Sequence, residues 1–411
     1  MDRYTEAKTM CRLFAEHGYP TMMAGGCVRD RIFGMEPKDY DLATVALPEE
    51  ALSLCRRKGY KVIPTGLKHG TISVVTGLQT LEFTTLRTDA DCDGRHANVA
   101  FSSDFKADAQ RRDFTINALF EDSEGQIHDF VGGQRDLAAK QLRFVGDPAS
   151  RIREDYLRIL RYFRFLARLG WQPLPNELNA IGANLDGLAR LSVERIQSEM
   201  DQILASPGAA LVLPLLHDCG LTATLFSWLD PSSTANLAKI LGRTDHPTLR
   251  WFSFYHWGSG TRLWPKLMAE EVINMRFTRK QVKLINNLAL LLAEHANLAE
   301  LMLCALRLQS QVSPLVLLDY LNACQEIFHL VLPDHLLRLL AGMGELEPPT
   351  IPHKALMQLE PTKRGETVHL VKIYWYLKLA RVKTEFEQMM GHIETYQMQL
   401  KSGVPKPVNE R

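Results

Sequence analysis

The feature that most constrains the fold is an abrupt change of pattern at VGDP (145–148). Before it, short apolar runs such as TMMA (21–24) and TISVV (71–75) are bounded by turn residues and alternate with helical patterns, as in an α/β arrangement. After it, almost no strand pattern occurs, while apolar residues recur at helical spacing to the end of the chain. We therefore expect an α+β N-terminal head, a small mixed sheet with helices, followed by an all-α remainder.

The length of 411 residues allows two to four domains. The change of pattern predicts a head at 1–145, a helical neck at 146–205 and an all-α body at 206–344. A proline-rich linker, ELEPPTIPHK, then introduces a last all-α block, the tail at 345–411. No repeat of fixed period is present, so a solenoid is not expected.

Local patterns give the elements in more detail. The polar stretch 88–110 is predicted to be a long mobile loop, because loops of that length in compact domains are usually functional or disordered. The other predicted elements are a strand at 39–45, a hairpin of strands 71–75 and 80–87, a helix over 154–170 ending at Gly170, and a helix over 191–204 with Ser192 as its N-cap and Glu194 in its first turn.

Composition excludes several classes of protein. With 46% hydrophobic and 23% charged residues the chain is ordinary for a globular protein, and it has no apolar run long enough to cross a bilayer. The start does not have the pattern of a secretory signal, and the seven cysteines form no Cys-x-x-Cys pair, which favours reduced thiols in the cytoplasm. The net charge of +1 requires any nucleic-acid partner to use local basic patches.

The segment GGCVRDRIFGMEPKDYDLAT (25–44) carries the strongest chemical signal. A strand that ends in Gly25 and Gly26 and leads into a helix leaves backbone N–H groups free, and an anion can approach them closely. Arg29, one turn into that helix, adds a forked donor suited to phosphate. This combination indicates a phosphate-binding turn.

Asp39 and Asp41 close the same segment at i, i+2 of the predicted strand, so both carboxylates are expected on one face. Two adjacent carboxylates repel each other unless a cation lies between them, and Mg²⁺ also accepts phosphate oxygens and water. The glycine turn and the acids together predict a nucleoside triphosphate bound with Mg²⁺. A P-loop is disfavoured, because no G-x-x-x-x-G-K-[ST] segment occurs.

The segment REDYLRILRYFRF (153–165) places Asp155, Arg158 and Arg161 three residues apart along a predicted helix, with Arg164 drifting further round. An aspartate and an arginine one turn apart can offer an acceptor and a donor fork to the edge of a base. The alternative is a salt bridge on a solvated helix face.

Taken in order, these and further motifs resemble the class II tRNA nucleotidyltransferases, the CCA-adding enzymes and related bacterial poly(A) polymerases of the DNA polymerase β nucleotidyltransferase superfamily. The resemblance covers residues 24–204 and rests on GGCVRD, KDYDLAT, PTGLKHGT, DGRHANV, RRDFTINALF, DFVGGQRDL, LRFVGDP, REDYLRILRYFRF and LSVERIQSEM. Beyond them, NMRFTRKQVKLI (274–285) is similar to part of the family's body.

The resemblance implies a role for each candidate residue. Asp39 and Asp41 would bind the catalytic Mg²⁺ ions, with Glu82 a candidate third carboxylate. The turn at Gly25 and Gly26, with Arg29, would hold the triphosphate. The remaining nucleotide-binding candidates are Arg111 or Arg112 with Asp113 for the ribose or pocket, Asp155 and Arg158 as readers of the base edge, and Arg161 and Arg164 for the phosphates or to brace the readers.

The implied activity is template-independent addition of C, C and A, from CTP and then ATP, to the 3′ end of tRNA, with contacts to the acceptor stem and release of pyrophosphate. Two alternatives stay open: addition of A alone or of poly(A), and a catalytically inactive RNA-binding scaffold. His217-Asp218 lacks the partners of a phosphohydrolase site, and His69 is read as part of a turn. The basic and aromatic stretch 359–383 could grip RNA backbone or form a solvated helix face.

Overall fold

The computed structural model describes residues 2–67, 70–90, 98–226, 229, 233–256, 281–282, 285, 287–288, 312–328, 337 and 340–341. The chain divides into two units, residues 1–227 and residues 228–411. All of the described strands belong to the first unit, and the described elements beyond residue 147 are helical. The predicted fold class, an α+β head followed by helices, is therefore confirmed over the described residues.

The first unit is built on a seven-stranded mixed sheet in the order β3-β4-β5-β2-β1-β8-β9. The strands are β1 Thr21–Ala24, β2 Asp41–Thr44, β3 Lys61–Gly66, β4 Thr71–Val75, β5 Thr80–Thr85, β8 Leu119–Glu121 and β9 Ile127–Asp129. Neighbours pair antiparallel except β2 and β5, which are parallel. The predicted hairpin is β4 and β5, closed by a Thr76 N–H bond to the Gln79 carbonyl at 2.9 Å.

Helices accompany the sheet. They are α1 Arg3–Glu16, α2 Gly26–Ile32, α3 Pro48–Arg57, α4 Phe105–Gln110 and α5 Gly133–Ala138. Helix α1 packs on the sheet through Phe14, whose ring stacks on Phe83 of β5 at 4.5 Å between centroids. Small buried residues, including Ala24, Ala43 and Ala118, join Phe120 in a core cluster directly behind β1 and β2. This close packing fixes the ends of both strands, where the predicted phosphate turn and acids lie.

The segment 88–110 differs from its prediction. Arg87–Ala90 (β6) pairs antiparallel with Asn98–Phe101 (β7), and α4 follows, so the described part of this stretch is ordered into a two-stranded ribbon and a helix. The ribbon was missed because its polar residues resemble a loop in composition, while the pairing alternation is only four residues long on each side. Residues 91–97 lie outside the described residues.

The rest of the first unit is helical: α6 Pro148–Glu154, α7 Leu157–Leu169, α8 Pro175–Gly182, α9 Val193–Ala205, α10 Ala209–Asp218 and α11 Leu221–Leu225. Gly170 ends α7 with φ of 68°, as predicted, and Ser192 precedes α9 in an extended conformation. The amphipathic α7 packs against α9 and α10. An aromatic cluster of Phe114, Phe144, Tyr162 and Phe165 fixes α7 to the segment after α4.

The described elements of the second unit are α12 Thr234–Leu241, α13 Pro247–His256 and α14 Pro314–Phe328. Helix α12 packs against both others, and Ser253 bonds the Tyr320 hydroxyl at 2.8 Å inside this small core. The linker 345–354 and the basic stretch 359–383 lie outside the described residues. Within the described ranges, no helix combines the length and the apolar character that a membrane crossing requires.

Candidate active site

One cavity of about 550 Å³ in the first unit brings together most of the candidate residues. Asp39 and Arg164 are not among its lining residues. Those that line it are Gly25, Gly26, Arg29, Asp41, Glu82, Arg111, Arg112, Asp113, Asp155, Arg158 and Arg161. The cavity thus brings together residues of the sheet, α2 and α7 that lie up to more than 130 residues apart in the sequence.

An acidic pair lies at one side of the cavity. Asp41, the first residue of β2, is in register with Glu82 of the neighbouring parallel strand β5. Paired residues of adjacent strands place their side chains on the same face of a sheet, a few ångströms apart. Glu82, the candidate third carboxylate, is therefore the nearest strand neighbour of Asp41.

Asp39 does not share the strand with Asp41. Strand β2 begins only at Asp41, and Asp39 lies in the bend before it with its side chain exposed, so the predicted start of the strand at residue 39 was wrong. Arg3 explains the bend, because it donates to the Pro37 carbonyl at 3.3 Å and to the Lys38 carbonyl at 2.6 Å. Regular strand geometry therefore does not set the relation between Asp39 and Asp41, although the charge of Asp39 still acts on Asp41.

The electrostatics of the acidic edge favour a cation. Reduced solvation, together with the charges of Glu82 and Asp39, raises the pKa of Asp41 to about 6, although Arg112 partly opposes these effects. A hard oxygen donor set of this kind suits Mg²⁺. Within the described part of the chain, no preformed cluster of three or more acidic, histidine or cysteine ligands occurs, and Mg²⁺ tolerates this because it keeps water and substrate oxygens in its shell.

The glycine turn faces the same cavity. Gly25 has φ of 76° and ψ of −123°, a conformation that side chains with a Cβ rarely adopt. A Cβ there would lie 2.8 Å from Nη1 of Arg112, so a larger residue would displace that guanidinium. Helix α2 starts at Gly26 without a side-chain cap, and the first-turn amides of a helix have no intrahelical acceptor. The predicted phosphate turn has the required backbone geometry.

Arg29 is more buried than the prediction assumed. Its side chain is 2% exposed, and its guanidinium donates to Oδ1 of Asp30 from Nε (2.8 Å) and Nη2 (2.6 Å) and to Oδ1 of Asn117 from Nη1 (2.5 Å). Burial lowers the pKa of Arg29, and the charge of Asp30 opposes that change. Arg29 therefore lines the cavity as an anchored group rather than as a free arm.

Asp113 and Arg161 form a firm pair across the cavity wall. Arg161 on α7 donates to Oδ2 of Asp113 from Nε at 2.9 Å and from Nη2 at 2.5 Å, while Asn117 and the Phe114 N–H bond Oδ1. Burial raises the pKa of Asp113, but Arg161 outweighs it and the pKa lies below its usual range. Arg161 is thus held by the protein.

Arg111 and Arg112 bracket one buried carboxylate. Both donate to Asp108 of α4, Arg111 from Nε at 2.9 Å and Arg112 from Nε at 3.1 Å. Arg112 also donates from Nη1 to the Asn117 carbonyl at 3.1 Å. The protein therefore holds both guanidiniums, and that of Arg112 lies beside Gly25.

The predicted helix over 154–170 corresponds to α7, Leu157–Leu169, which a break separates from the preceding helix α6. Helix α6 ends at Glu154, Asp155 is extended with φ of −153° and ψ of 105°, and α7 begins at Leu157. The Asp155 carboxylate accepts the Leu157 N–H at 3.1 Å, the local bond by which aspartate competes with a continuing helix. The prediction that Asp155 and Arg158 lie on one continuous helix was therefore wrong. Asp155 lies in the break between α6 and α7, and Arg158 lies in the first turn of α7.

Neighbouring side chains orient the two candidate base readers. Arg195 of α9 bonds Oδ2 of Asp155 at 2.8 Å. Nη1 of Arg158 donates to Oε2 of Glu154 at 2.6 Å and to the Arg151 carbonyl at 2.7 Å. Asp155 and Arg158 nevertheless both line the cavity, so one acceptor and one donor are presented to it.

Arg164 bonds to α9: its Nε lies 3.0 Å from Oε2 of Glu199, and its Nη1 donates to Gln202 at 2.7 Å. Of the two roles the resemblance left open for it, these contacts are those of a brace.

Sequence reasoning missed Asp30, Asn117, Arg168 and Arg195. Asp30 and Asn117 stand inside quoted motifs, GGCVRD and RRDFTIN, but received no role. Arg168 could have been found from the helical spacing of arginines on α7, since it follows Arg161 by seven residues. Arg195 could be identified only from the packing of α9 in the structure.

Of the two histidines singled out in the sequence, His217 lies among the described residues. His217, at the end of α10, contacts the Thr222 hydroxyl at 3.1 Å and does not line the cavity. His69 lies outside the described residues.

Comparisons with known proteins agree with this architecture. The family model described as the poly A polymerase head domain matches residues 21–143, and the one described as a probable RNA and SrmB-binding site of polymerase A matches residues 175–232. The mitochondrial CCA tRNA nucleotidyltransferase 1 of Danio rerio is 43% identical over 216 residues, 52% of this chain and 50% of the relative. The CCA-adding enzyme of Geobacillus stearothermophilus is 40% identical over 224 residues, 54% of each chain.

Solved structures match over a longer span. The Bacillus stearothermophilus CCA-adding enzyme in complex with CTP superposes with a TM-score of 0.69 at 27% identity, covering 97% of this chain and 100% of that one. The Thermotoga maritima CCA-adding enzyme complexed with tRNA has a TM-score of 0.62 at 18% identity, covering 97% of this chain and 96% of that one, which supports the shared fold alone.

A mixed sheet with an acidic pair and a glycine turn, facing an arginine-lined helix, defines the class of molecule. Residues 21–143 and 175–232 match models of the poly(A) polymerase family, and about half of the chain is similar in sequence to CCA tRNA nucleotidyltransferases and CCA-adding enzymes. The aligned region spans about half the length of the curated relatives it matches.

Proposed function

We propose that this protein is a nucleotidyltransferase that adds C, C and A, from CTP and ATP, to the 3′ end of tRNA. One observation carries the proposal: a single cavity is lined by the in-register acids Asp41 and Glu82 and also by Asp155 and Arg158. The first pair suits metal-assisted phosphoryl transfer, and the second suits selection of a base without a nucleic-acid template.

Asp41 and Glu82 would hold Mg²⁺, with Asp39 adding charge from the bend before β2. When bound, Mg²⁺ neutralises phosphate charge and favours the ionised form of an attacking hydroxyl. Asp41 is suited to this because reduced solvation and the neighbouring charge of Glu82 disfavour its ionised form until a cation binds.

In the reaction, the 3′-hydroxyl oxygen of the RNA bonds to the α-phosphorus of the nucleotide, and the bond from that phosphorus to the bridging oxygen breaks, so that pyrophosphate leaves. The protein positions both reactants and offsets charge, since this step requires no covalent intermediate on the chain. The turn at Gly25 and Gly26 would receive the triphosphate, and the fixed guanidiniums of Arg111 and Arg112 would border the ribose and phosphates.

Asp155 and Arg158 would read the Watson–Crick edge of the incoming base. A bidentate contact of this type contributes roughly 1–3 kcal/mol of discrimination. Arg195 and Glu154 hold the two readers from behind, so their spacing is set before the nucleotide arrives. This preorganisation is what a protein template requires.

The same proposal assigns catalysis to the head at 1–145, base selection to the neck at 146–205, and tRNA contact to the body at 206–344 and the tail at 345–411, including the basic stretch 359–383. We place the reaction in the cytoplasm, in keeping with the free cysteines among the described residues.

The test supplies Mg²⁺ and tRNA ending at the discriminator base, at C or at CC, with CTP, ATP or both, and sequences the 3′ ends. Complete CCA ends on all three substrates support the proposal. Extension of only the CC-ending tRNA shows an A-adding enzyme, long A tracts on unrelated RNA show a poly(A) polymerase, and RNA binding without extension shows an inactive scaffold. Asp41→Asn should abolish addition, whereas Glu124→Gln, a change of an exposed acid paired with Arg12, should not.

A further inference from the structure

Arg168 lines the cavity but has no role in the reaction as described so far. It lies in the last turn of α7, and its side chain is 46% exposed, far more than those of Arg29 (2%) or Arg158 (13%). Among these cavity arginines it therefore keeps the most surface for a new partner.

A shared carboxylate connects Arg168 to the phosphate turn. Nη2 of Arg168 lies 2.7 Å from Oδ2 of Asp30, and Arg29 occupies Oδ1 of the same carboxylate. Arg29 in turn lies beside the turn, since a Cβ on Gly26 would be 3.6 Å from its Nη2. Two guanidiniums thus meet one buried carboxylate next to the glycine turn, and one positive charge is left uncompensated within this trio.

The residues of α7 that line the cavity, including Arg168, lie on one face of the helix. Arg158, Arg161, Phe165 and Arg168 all line the cavity, and steps of three or four residues keep them on one face of the helix. Arg158 and Arg168 are ten residues apart, about 15 Å along the axis. One helix face therefore runs from the base-reading end of the cavity to the glycine turn.

Resting on the proposed function, we infer that Arg168 binds the terminal phosphates of the incoming nucleoside triphosphate. Asp30 holds Arg168 beside Arg29, and the pair offers net positive charge and exposed N–H donors to the polyphosphate. Arginine suits this role because its planar fork donates two hydrogen bonds to one phosphate group. The contact lies away from the base, so it strengthens the binding of CTP and ATP alike.

The test measures binding of inorganic tripolyphosphate, with Mg²⁺ present, to the full-length protein by calorimetry. Arg168→Ala should weaken this binding on the order of tenfold. The matched control is Arg12→Ala, which removes a similarly exposed arginine (54%) from another single-carboxylate pair and should leave binding unchanged. Arg168→Lys should retain more binding than Arg168→Ala. Equal tripolyphosphate affinity in the wild type and Arg168→Ala overturns the inference.

Kinetics distinguish a nucleotide contact from an RNA contact. Arg168→Ala should raise KM for CTP and for ATP by similar factors, with KM for tRNA and the choice between the two nucleotides unchanged. An increase confined to KM for tRNA would assign Arg168 to the RNA backbone and contradict the inference. Should Arg168→Ala lose its folded circular-dichroism spectrum, Arg168→Gln, which preserves the stem that packs along α7, replaces it with the same expected results.

The calorimetric binding experiment does not require nucleotide transfer. The role of Arg168 and the proposed function can therefore be contradicted independently. A wild-type protein that extends no tRNA contradicts the proposed function. A wild-type protein that extends tRNA while Arg168→Ala binds tripolyphosphate normally contradicts only the role of Arg168.

Discussion

Arg195 of α9 holds Asp155 at the break between α6 and α7 through a 2.8 Å salt bridge, although 40 residues separate the two in sequence. The other oxygen of the Asp155 carboxylate accepts the Leu157 N–H, so both oxygens have protein partners before a base arrives. This arrangement fixes the direction in which the acceptor faces the cavity.

Arg195→Gln should therefore reduce base discrimination. With one of its two anchors lost, Asp155 becomes mobile, and we expect the ratio of kcat/KM for CTP over ATP, on tRNA that ends at the discriminator base, to fall about three- to tenfold. Arg153→Gln is the control, because Arg153 is exposed on α6 and bonds only Ser150, at 3.3 Å. An unchanged ratio in Arg195→Gln would show that the salt bridge does not orient the reader.

Replacing Asp41 or Glu82 should lower activity, and replacing Asp41 should not lower stability. Asp41→Asn and Glu82→Gln should each lower nucleotide addition at least a hundredfold, since each removes a metal-binding charge. Without metal, Asp41→Asn should melt at the same temperature as the wild type or higher. The reason is that Asp41, with its pKa raised to about 6, is ionised at pH 7 at a cost to the fold. Calorimetric melting in EDTA checks this, and a clear decrease would mean that Asp41 has a structural role.

Gly25→Ala tests the phosphate turn. Positive φ alone costs on the order of 1–2 kcal/mol for alanine, and the new Cβ would also displace Arg112 from its place beside the turn. A displacement of about 1 Å can lower activity on the order of a hundredfold. Gly34→Ala is the comparison, because Gly34 has φ of 78° but open space around a Cβ. Equal losses of kcat/KM in the two variants would remove the steric argument.

The Asp113–Arg161 pair gives a prediction with a defined pH dependence. The pKa of Asp113 is lowered in the folded protein, so its charge stabilises the fold above the unfolded pKa of about 3.9, and that stabilisation is lost as the pH falls through the folded value. At pH 7, Asp113→Asn should cost about 2–3 kcal/mol, because it leaves Arg161 without its charged partner.

Urea unfolding of the wild type and Asp113→Asn at several pH values measures this cost. The difference between the two proteins should be constant from pH 7 to about pH 5 and should shrink below about pH 4. A difference that grows on acidification would have the wrong sign and would contradict the assignment.

Much of this site could be predicted from sequence, since its chemistry lies in short motifs. Gly25 and Asp41 were identified by residue type and spacing alone, and so was the fold class. Asp155 was placed wrongly because i, i+3 spacing is the same for a continuous helix and for a helix broken by a capping aspartate. Arg29 was predicted as a donor to phosphate, but the sequence could not show its burial or its hydrogen bond to Asn117, 88 residues away. Such contacts depend on packing, which local patterns do not encode.

The parallel pairing of β2 with β5 has a further consequence for how the protein folds. Helix α3 and strands β3 and β4 separate Asp41 from Glu82 in the sequence. The two acids therefore become neighbours only when β5 pairs with β2. A slip of one residue in this pairing would turn Glu82 toward the opposite side of the sheet. Under the proposed function, affinity for a divalent ion would therefore mark correctly assembled molecules, and misfolded copies with the same composition would lack it.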